Sequence, residues 1–220
     1  MTSQSDLSDL SAALLRAAGG DPLPADHART AVATFEHLLA GEPAPVADIA
    51  RAAGVSADAA ERFFAGSRGV YRNDDGDVIG FWGVTVVEMP PHRLVTDGPP
   101  VWFWCAWDPV IVAPIVGRPL TLETRDPETG DPVRFTATPD GVRDVSPDTA
   151  TLSFLRPTGE WNADVIASFC HYVHAFGNEW TARSWTAERD GTFVLSLDDS
   201  VGLARDGFIV RFGDAARSAR

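Results

Sequence analysis

Val101-Trp-Phe-Trp-Cys-Ala-Trp-Asp-Pro-Val-Ile-Val-Ala-Pro-Ile-Val-Gly117 begins as an aromatic strand and ends as an apolar helix. Asp108-Pro109 marks the change, because aspartate is a good N-cap and proline fits the first helical turn, where its missing N–H costs nothing. A strand that feeds a buried helix indicates a mixed chain, and the sequence divides on either side of it.

Upstream the chain is helical. Asp6 to Ala18 carries Leu7, Leu10, Leu14 and Leu15 at helical spacing, and Asp26 to Ala40 carries Val32, Phe35, Leu38 and Leu39 before Gly41. From Pro45 to Phe64 the pattern predicts a short helix, a turn at Gly54, an N-cap at Ser56 and a second helix, which is helix-turn-helix spacing. Gly69 to Arg72 and Val78 to Trp82 flank the turn residues Asn73-Asp-Asp-Gly76 as a candidate wing.

From residue 81 the period falls to two. Phe81 to Val87, Val101 to Trp104, Leu120 to Thr124, Val133 to Ala137, Thr151 to Leu155 and Phe193 to Leu197 read as strands. Helices are expected after Asp108, from Asn162 to about Ala175 with Asn162 as N-cap, and from Glu179 to Ala187. The expected fold is α+β: a helical, winged-helix-like module over residues 1–80, then a mostly antiparallel catalytic body with flanking helices over 81–220.

Composition narrows the function. The 220 residues are 45% hydrophobic, enough for a full core, and carry a formal charge of −13. All eighteen basic residues are arginine. Residues 1–80 hold six of these against twelve acidic residues, and the would-be recognition helix offers only Arg62. Phosphate neutralisation supplies most non-specific affinity for nucleic acid, so neither nucleic acid nor an acidic membrane is the expected partner. No run of eighteen apolar residues occurs, and the N-terminus has neither a basic nor an apolar leader region, so a cytoplasmic location is expected.

The only cysteines are Cys105 and Cys170. In a reducing compartment they stay as thiols, which are either small buried hydrophobes or reactive groups. Cys105 precedes a helix start that would lower its pKa, whereas Asp108 opposes that unless it carries the proton. Cys170 has an aromatic, apolar setting and needs a proton acceptor to react. Asp108, His171 and His174 are the candidates. Trp102, Phe103, Trp104, Trp107 and Phe169 either line a site or fill the core, with about half expected at a site because strand faces alternate.

Trp104-Cys-Ala-Trp-Asp108, Ile115-Val-Gly-Arg118, Thr129-Gly-Asp-Pro-Val133 and Ser168-Phe-Cys-His-Tyr-Val-His-Ala-Phe176 resemble the organomercurial (alkylmercury) lyases of the MerB family. The likeness extends from about Gly69 to Phe212 and takes in Asp77-Val-Ile-Gly80 and Val201-Gly-Leu203. It implies that the family's two mercury-binding cysteines fall on Cys105 and Cys170 and its catalytic aspartate on Asp108, so that these three surround the metal. It also implies the winged-helix-like front. Where many relatives have another cysteine this chain has His171, and Trp107 and Pro109 are bulkier than usual, which bears on substrate range.

The implied reaction joins soft-metal coordination to acid-base chemistry. Cys105 binds R–Hg⁺, Asp108 takes the proton of the second thiol, Cys170 adds to mercury, and Asp108 protonates the departing carbon to give R–H and Hg(II). No permanent cofactor is implied, because mercury arrives with the substrate. Expected partners are an organomercurial, cellular thiols and a mercuric reductase. The competing readings are a sequestering protein for Hg or Cu and a metal-responsive DNA-binding regulator. Asp108 favours the lyase over the first, since sequestration needs no proton carrier, and acidity disfavours the second.

Overall fold

The computed structural model describes residues 4–159, 161 and 164–216. Four helices come first: α1 (Gln4–Ala17), α2 (Ala25–Leu39), α3 (Val46–Ala53) and α4 (Ala57–Gly66). Leu10, Leu14, Phe35, Leu38, Ile49 and Phe63 bury the apolar stripes anticipated from their spacing. Gly54 ends α3 at φ 66°, a left-handed conformation that favours glycine, and Ser56 Oγ accepts the Ala59 N–H at 3.2 Å to start α4.

Strands β1 (Val70–Arg72), β2 (Val78–Phe81), β3 (Val84–Thr85), β4 (Arg93–Leu94), β5 (Trp102–Phe103), β6 (Leu120–Arg125), β7 (Pro132–Thr138) and β8 (Gly141–Ser146) form one antiparallel sheet in the order β1-β2-β3-β5-β4-β6-β7-β8. Helix α5 (Asp108–Val116) leaves the end of β5 and is buried along nearly its whole length. A second antiparallel sheet, β10-β9-β11, comprises β9 (Thr151–Leu155), β10 (Ala175–Phe176) and β11 (Thr192–Ser196). Helices α6 (Val165–Ser168), α7 (Glu179–Ala187) and α8 (Leu197–Gly207) and a final 3-10 segment, Ile209–Ala216, complete the described chain. A continuous core joins α1 and α2 to α5, both sheets and Phe212. Among the described residues no helix is long and apolar enough to cross a membrane.

Three expectations need correction. The helix anticipated from Asn162 to Ala175 is a single turn, α6, followed by a 3-10 turn at Cys170–Tyr172 and then β10. Asp164 caps α6 by accepting the Ala167 N–H at 3.0 Å, and Phe169 (φ −142°, ψ −58°) breaks it. β-Branched and aromatic residues are weak helix formers, and pairing of Ala175 with Leu152 on β9 outweighs their periodicity. The N-cap assigned to Asn162 lies outside the described residues.

Phe81 to Val87 is not one strand. Trp82 (φ 39°) and Gly83 (φ 104°) form a two-residue turn, with Phe81 opposite Val84, so β2 folds back onto β3. Positive φ at both loop residues matches the twist of a tight hairpin. Thirdly, Asp108 is the first helical residue rather than the cap, and its carboxylate reaches back to the Cys105 N–H. The two-residue strands β4 and β10 and the six-residue β8 lacked a readable alternation. Helix α8 was hidden by Gly202 and Gly207, although Ser196 Oγ caps it through the Asp199 N–H at 3.0 Å.

Candidate active site

Backbone pairing brings the two cysteines together. The Ala106 N–H donates to the Val173 carbonyl at 3.1 Å, and the Val173 N–H closes the 3-10 turn on the Cys170 carbonyl at 3.0 Å. Ser153 on β9 pins that turn, donating its hydroxyl to the Tyr172 carbonyl at 2.8 Å and accepting the His174 N–H at 3.0 Å. Each cysteine therefore hangs from a different sheet.

Their side chains converge with Asp108. One sulfur or oxygen from each of Cys105, Asp108 and Cys170 lies within 4.8 Å of the others, and all three residues are at most 4% exposed. Asp108 Oδ2 accepts the Cys105 N–H at 2.6 Å, which fixes the carboxyl beneath the thiols. Both cysteines are free.

Burial sets their protonation. Asp108 is pushed up to about 8, because desolvation outweighs the hydrogen bonds from Cys105 and the Trp104 backbone that favour its charged form. Burial, a hydrogen bond with Cys170 and the Asp108 charge hold the Cys105 thiol well above its ordinary range. The bond from Cys105 favours the Cys170 thiolate, but burial and Asp108 leave that thiol raised as well. At neutral pH burial thus favours the protonated form of all three groups.

Asp108 and Cys170 form the floor of a cavity of about 440 Å³ roofed by the ends of α1, α2 and α4 and by the final 3-10 segment, while Cys105, fully buried, lies just behind them. Of the five aromatic residues singled out from sequence, Trp104, Trp107 and Phe169 line it, while Phe103 is core and Trp102 lies half-buried on β5. Trp107 is fully buried, donates Nε1–H to the Ser200 carbonyl of α8 at 3.0 Å and meets Phe154 edge-on at 5.0 Å. It stiffens the cavity wall. Pro109 is buried in the first turn of α5, and His171 is exposed beside a separate, shallow surface hollow. His174 turns away to the His171 carbonyl at 2.9 Å and stacks on His92, and burial holds it at about 4. Neither histidine joins the thiols.

Sequence reasoning missed Gly83. At φ 104° it lies directly against the Asp108 carboxyl: a Cβ there would sit 2.5 Å from Asp108 Cγ and 2.9 Å from its Cβ. Its carbonyl also accepts the Trp104 N–H at 3.0 Å. The available signal was a glycine inside an apolar strand run, which marks a tight bend or a close backbone approach. Arg211 and Trp161, both in the cavity wall, were also missed, having no local motif.

The sequence profile of the family described as MerB, alkylmercury lyase, matches residues 87–208. An alkylmercury lyase of Staphylococcus epidermidis is 33% identical over 168 residues, covering 76% of each chain. This chain belongs to the alkylmercury lyase family. A second member, from Streptomyces lividans, is 32% identical over 76% of each chain. The crystal structure of the mercury-bound form of MerB2 superposes with a TM-score of 0.69 over 96% of this chain and 100% of the other, at 14% identity. The family fold, a mixed arrangement of helices and antiparallel sheet, is therefore retained at low sequence identity.

Proposed function

We propose that this chain is an organomercurial lyase that splits the carbon–mercury bond of alkyl and aryl mercurials by protonolysis, using Cys105, Asp108 and Cys170. The observation that carries the reading is the convergence of two buried thiols and one buried carboxyl at the floor of an aromatic-walled cavity, which Asp108 and Cys170 line. Thiolate sulfur is the natural ligand of mercury, and a single thiolate can hold R–Hg⁺ intact. A second thiolate raises electron density at the metal and makes carbon the better leaving group, provided a proton is at hand.

The step balances without a redox partner. R–Hg–SR′ exchanges onto Cys105, releasing R′SH with the Cys105 proton. With Asp108 ionised, its own proton having gone to solvent, Cys170 then adds to mercury and passes its proton to Asp108, which delivers it to carbon. Hg(II) remains on two thiolates, R–H departs and Asp108 returns to its starting state. Cellular thiols supply R′SH and, with a mercuric reductase, remove the Hg(II). No permanent cofactor takes part, and the reaction belongs in the cytoplasm, where thiols are reduced. Residues 1–80 serve as a winged-helix-like packing module that roofs the cavity, and residues 81–220 carry the chemistry. Sequestration of Hg(II) or Cu(I) is less well supported, because a buried carboxyl beside two thiols adds cost but no affinity for a soft ion.

Incubation with phenylmercury or methylmercury and excess thiol should release benzene or methane above the protein-free control. Stoichiometric mercury binding without hydrocarbon would leave sequestration as the better account.

The pH dependence has a defined sign. Once Cys105 carries R–Hg, the productive site holds one proton shared by Asp108 and Cys170. Below pH about 8 the Asp108 carboxyl keeps its own proton and cannot accept that of Cys170. The single-turnover cleavage rate should therefore rise from pH 6 to about 8, with an apparent pKa that belongs to the pair. A flat profile across that range would contradict the relay.

Gly83→Ala should displace the Asp108 carboxyl or force the β2–β3 turn out of its conformation. A misplacement of around 1 Å should slow cleavage about 100-fold. Mercury binding, read by retention through gel filtration, should persist. Cleavage at the parent rate would show that Asp108 tolerates movement and would remove Gly83 from its positioning role.

A further inference from the structure

The same cavity holds features that proton relay and mercury coordination do not use. Arg211 is only 8% exposed and lies in the cavity wall. Its Nε–H donates to the Asp21 carbonyl at 3.2 Å, and its guanidinium stands 5.7 Å from the Trp82 ring centroid and 5.8 Å from that of Phe208. Among the described residues no carboxylate forms an ion pair with it, whereas most of the other pairs involve exposed arginines bound to a glutamate or aspartate. The Asp21 charge favours the guanidinium from beyond ion-pair distance but does not offset its burial, which holds the group below its ordinary range, so a closer anion would be favoured here.

A second donor is left open in the same wall. Trp161 Nε1 is buried and has no hydrogen-bond acceptor among the described residues. A buried N–H left unpaired keeps its full desolvation penalty, so a ligand oxygen here would relieve a standing cost. Arg62 and Arg68 line the same cavity, and the Arg68 guanidinium bonds the Trp161 carbonyl at 2.7 Å. In a chain of net charge −13 this wall gathers three arginines, and among the described residues Asp108 is the only acidic one that lines it. Arg211 packs on Trp82, the neighbour of the glycine that lies against Asp108, and lines the same cavity as Asp108 and Cys170.

We propose that this wall is an anion subsite, built on Arg211 and Trp161 Nε1 with Arg62 and Arg68 at its rim, that binds a carboxylate of the incoming mercurial. That carboxylate is carried either by the organic group or by the thiolate that escorts mercury into the site. The inference rests on the lyase reading and specifies its substrate class: anionic mercurial complexes are taken in preference to neutral ones. Aqueous R–Hg⁺ travels as a thiolate complex, so a carboxylated thiol would be held by Arg211 while its sulfur exchanges with Cys105 and leaves as R′SH. Planar bidentate pairing with a carboxylate is what guanidinium geometry favours.

The test compares four complexes: phenylmercury and 4-carboxyphenylmercury, each with 2-mercaptoethanol or with 3-mercaptopropionate. Hydrocarbon release gives kcat/KM, and quenching of tryptophan fluorescence gives Kd on the same samples. Wild type should favour at least one anionic complex by about 10- to 100-fold, the range expected for a charge-assisted pair. The arm that shows the preference identifies the carboxylate's source. Arg211→Gln should bring the ratio to near 1 with phenylmercury–mercaptoethanol little changed. Arg211→Lys should restore part of it, and Trp161→Phe, which keeps the ring and removes the donor, should reduce it. Equal handling of all four complexes by wild type, or a preference that survives in Arg211→Gln, would overturn the subsite. Hydrocarbon from phenylmercury–mercaptoethanol tests the lyase reading independently, and the Kd ratio reads the subsite even where no hydrocarbon forms.

Discussion

Asp108→Asn should still bind mercury on Cys105 and Cys170 but should lose about 10²- to 10⁴-fold in cleavage rate, the usual contribution of a positioned acid-base group. The amide retains an oxygen for the Cys105 N–H, now at 2.6 Å to Asp108 Oδ2, so the loop should keep its shape. What it cannot do is accept the Cys170 proton. Single-turnover hydrocarbon release measures the loss directly, and the rise of rate between pH 6 and 8 should vanish with it. Full activity in this variant would remove Asp108 from the relay.

The same substitution should alter stability in a predictable direction. Asp108 is raised from an ordinary 3.8 to about 8 in the folded chain, so the folded state keeps a proton that the unfolded state sheds between those values. Its contribution to stability is full below pH about 4 and is lost as pH rises to about 8. Asp108→Asn has no such proton to lose. Its Tm should fall less than that of wild type between pH 5 and 8, as expected when a group costly to the fold is retained for function.

The cysteines should separate into two phenotypes under one loss. Cys105→Ala and Cys170→Ala should each reduce turnover by at least about 1,000-fold, because neither thiolate alone activates the carbon–mercury bond. Cys105 sits at the start of α5, bonded through its N–H to Asp108, and is proposed as the first ligand. Cys170→Ala should therefore retain intact R–Hg after gel filtration, whereas Cys105→Ala should retain less. Mass spectrometry of the intact protein distinguishes R–Hg from Hg(II) in each. Cleavage at more than a tenth of the parent rate in either variant would contradict the two-thiolate scheme.

The grouping of Cys105, Asp108 and Cys170 was readable in the sequence because the residue types are scarce and selective. Two cysteines in 220 residues, one three positions before an aspartate, leave few ways to bind a soft metal and move a proton. The helices α1 to α4 and strands β6, β7 and β9 followed from periodicity, since their apolar faces pack on one core. Cys170 was misplaced onto a helix because Val165, Ile166, Phe169 and Val173 also suit a turn that descends into the core, and only pairing with β9 decides between them. Gly83 and Arg211 were illegible for a different reason. Their importance arises from residues distant in the chain, Asp108 for one and Trp82 and Phe208 for the other, and no single-sequence spacing encodes such contacts.

The most direct measurement is single-turnover cleavage of phenylmercury in deuterium oxide, with benzene analysed by mass spectrometry and protein-bound Hg(II) counted in parallel. The account predicts one benzene per Hg(II) formed, each benzene carrying one deuterium, because the hydrogen comes from the exchangeable protons of Cys170 and Asp108. Bound mercury with no benzene, or benzene without deuterium, would contradict it.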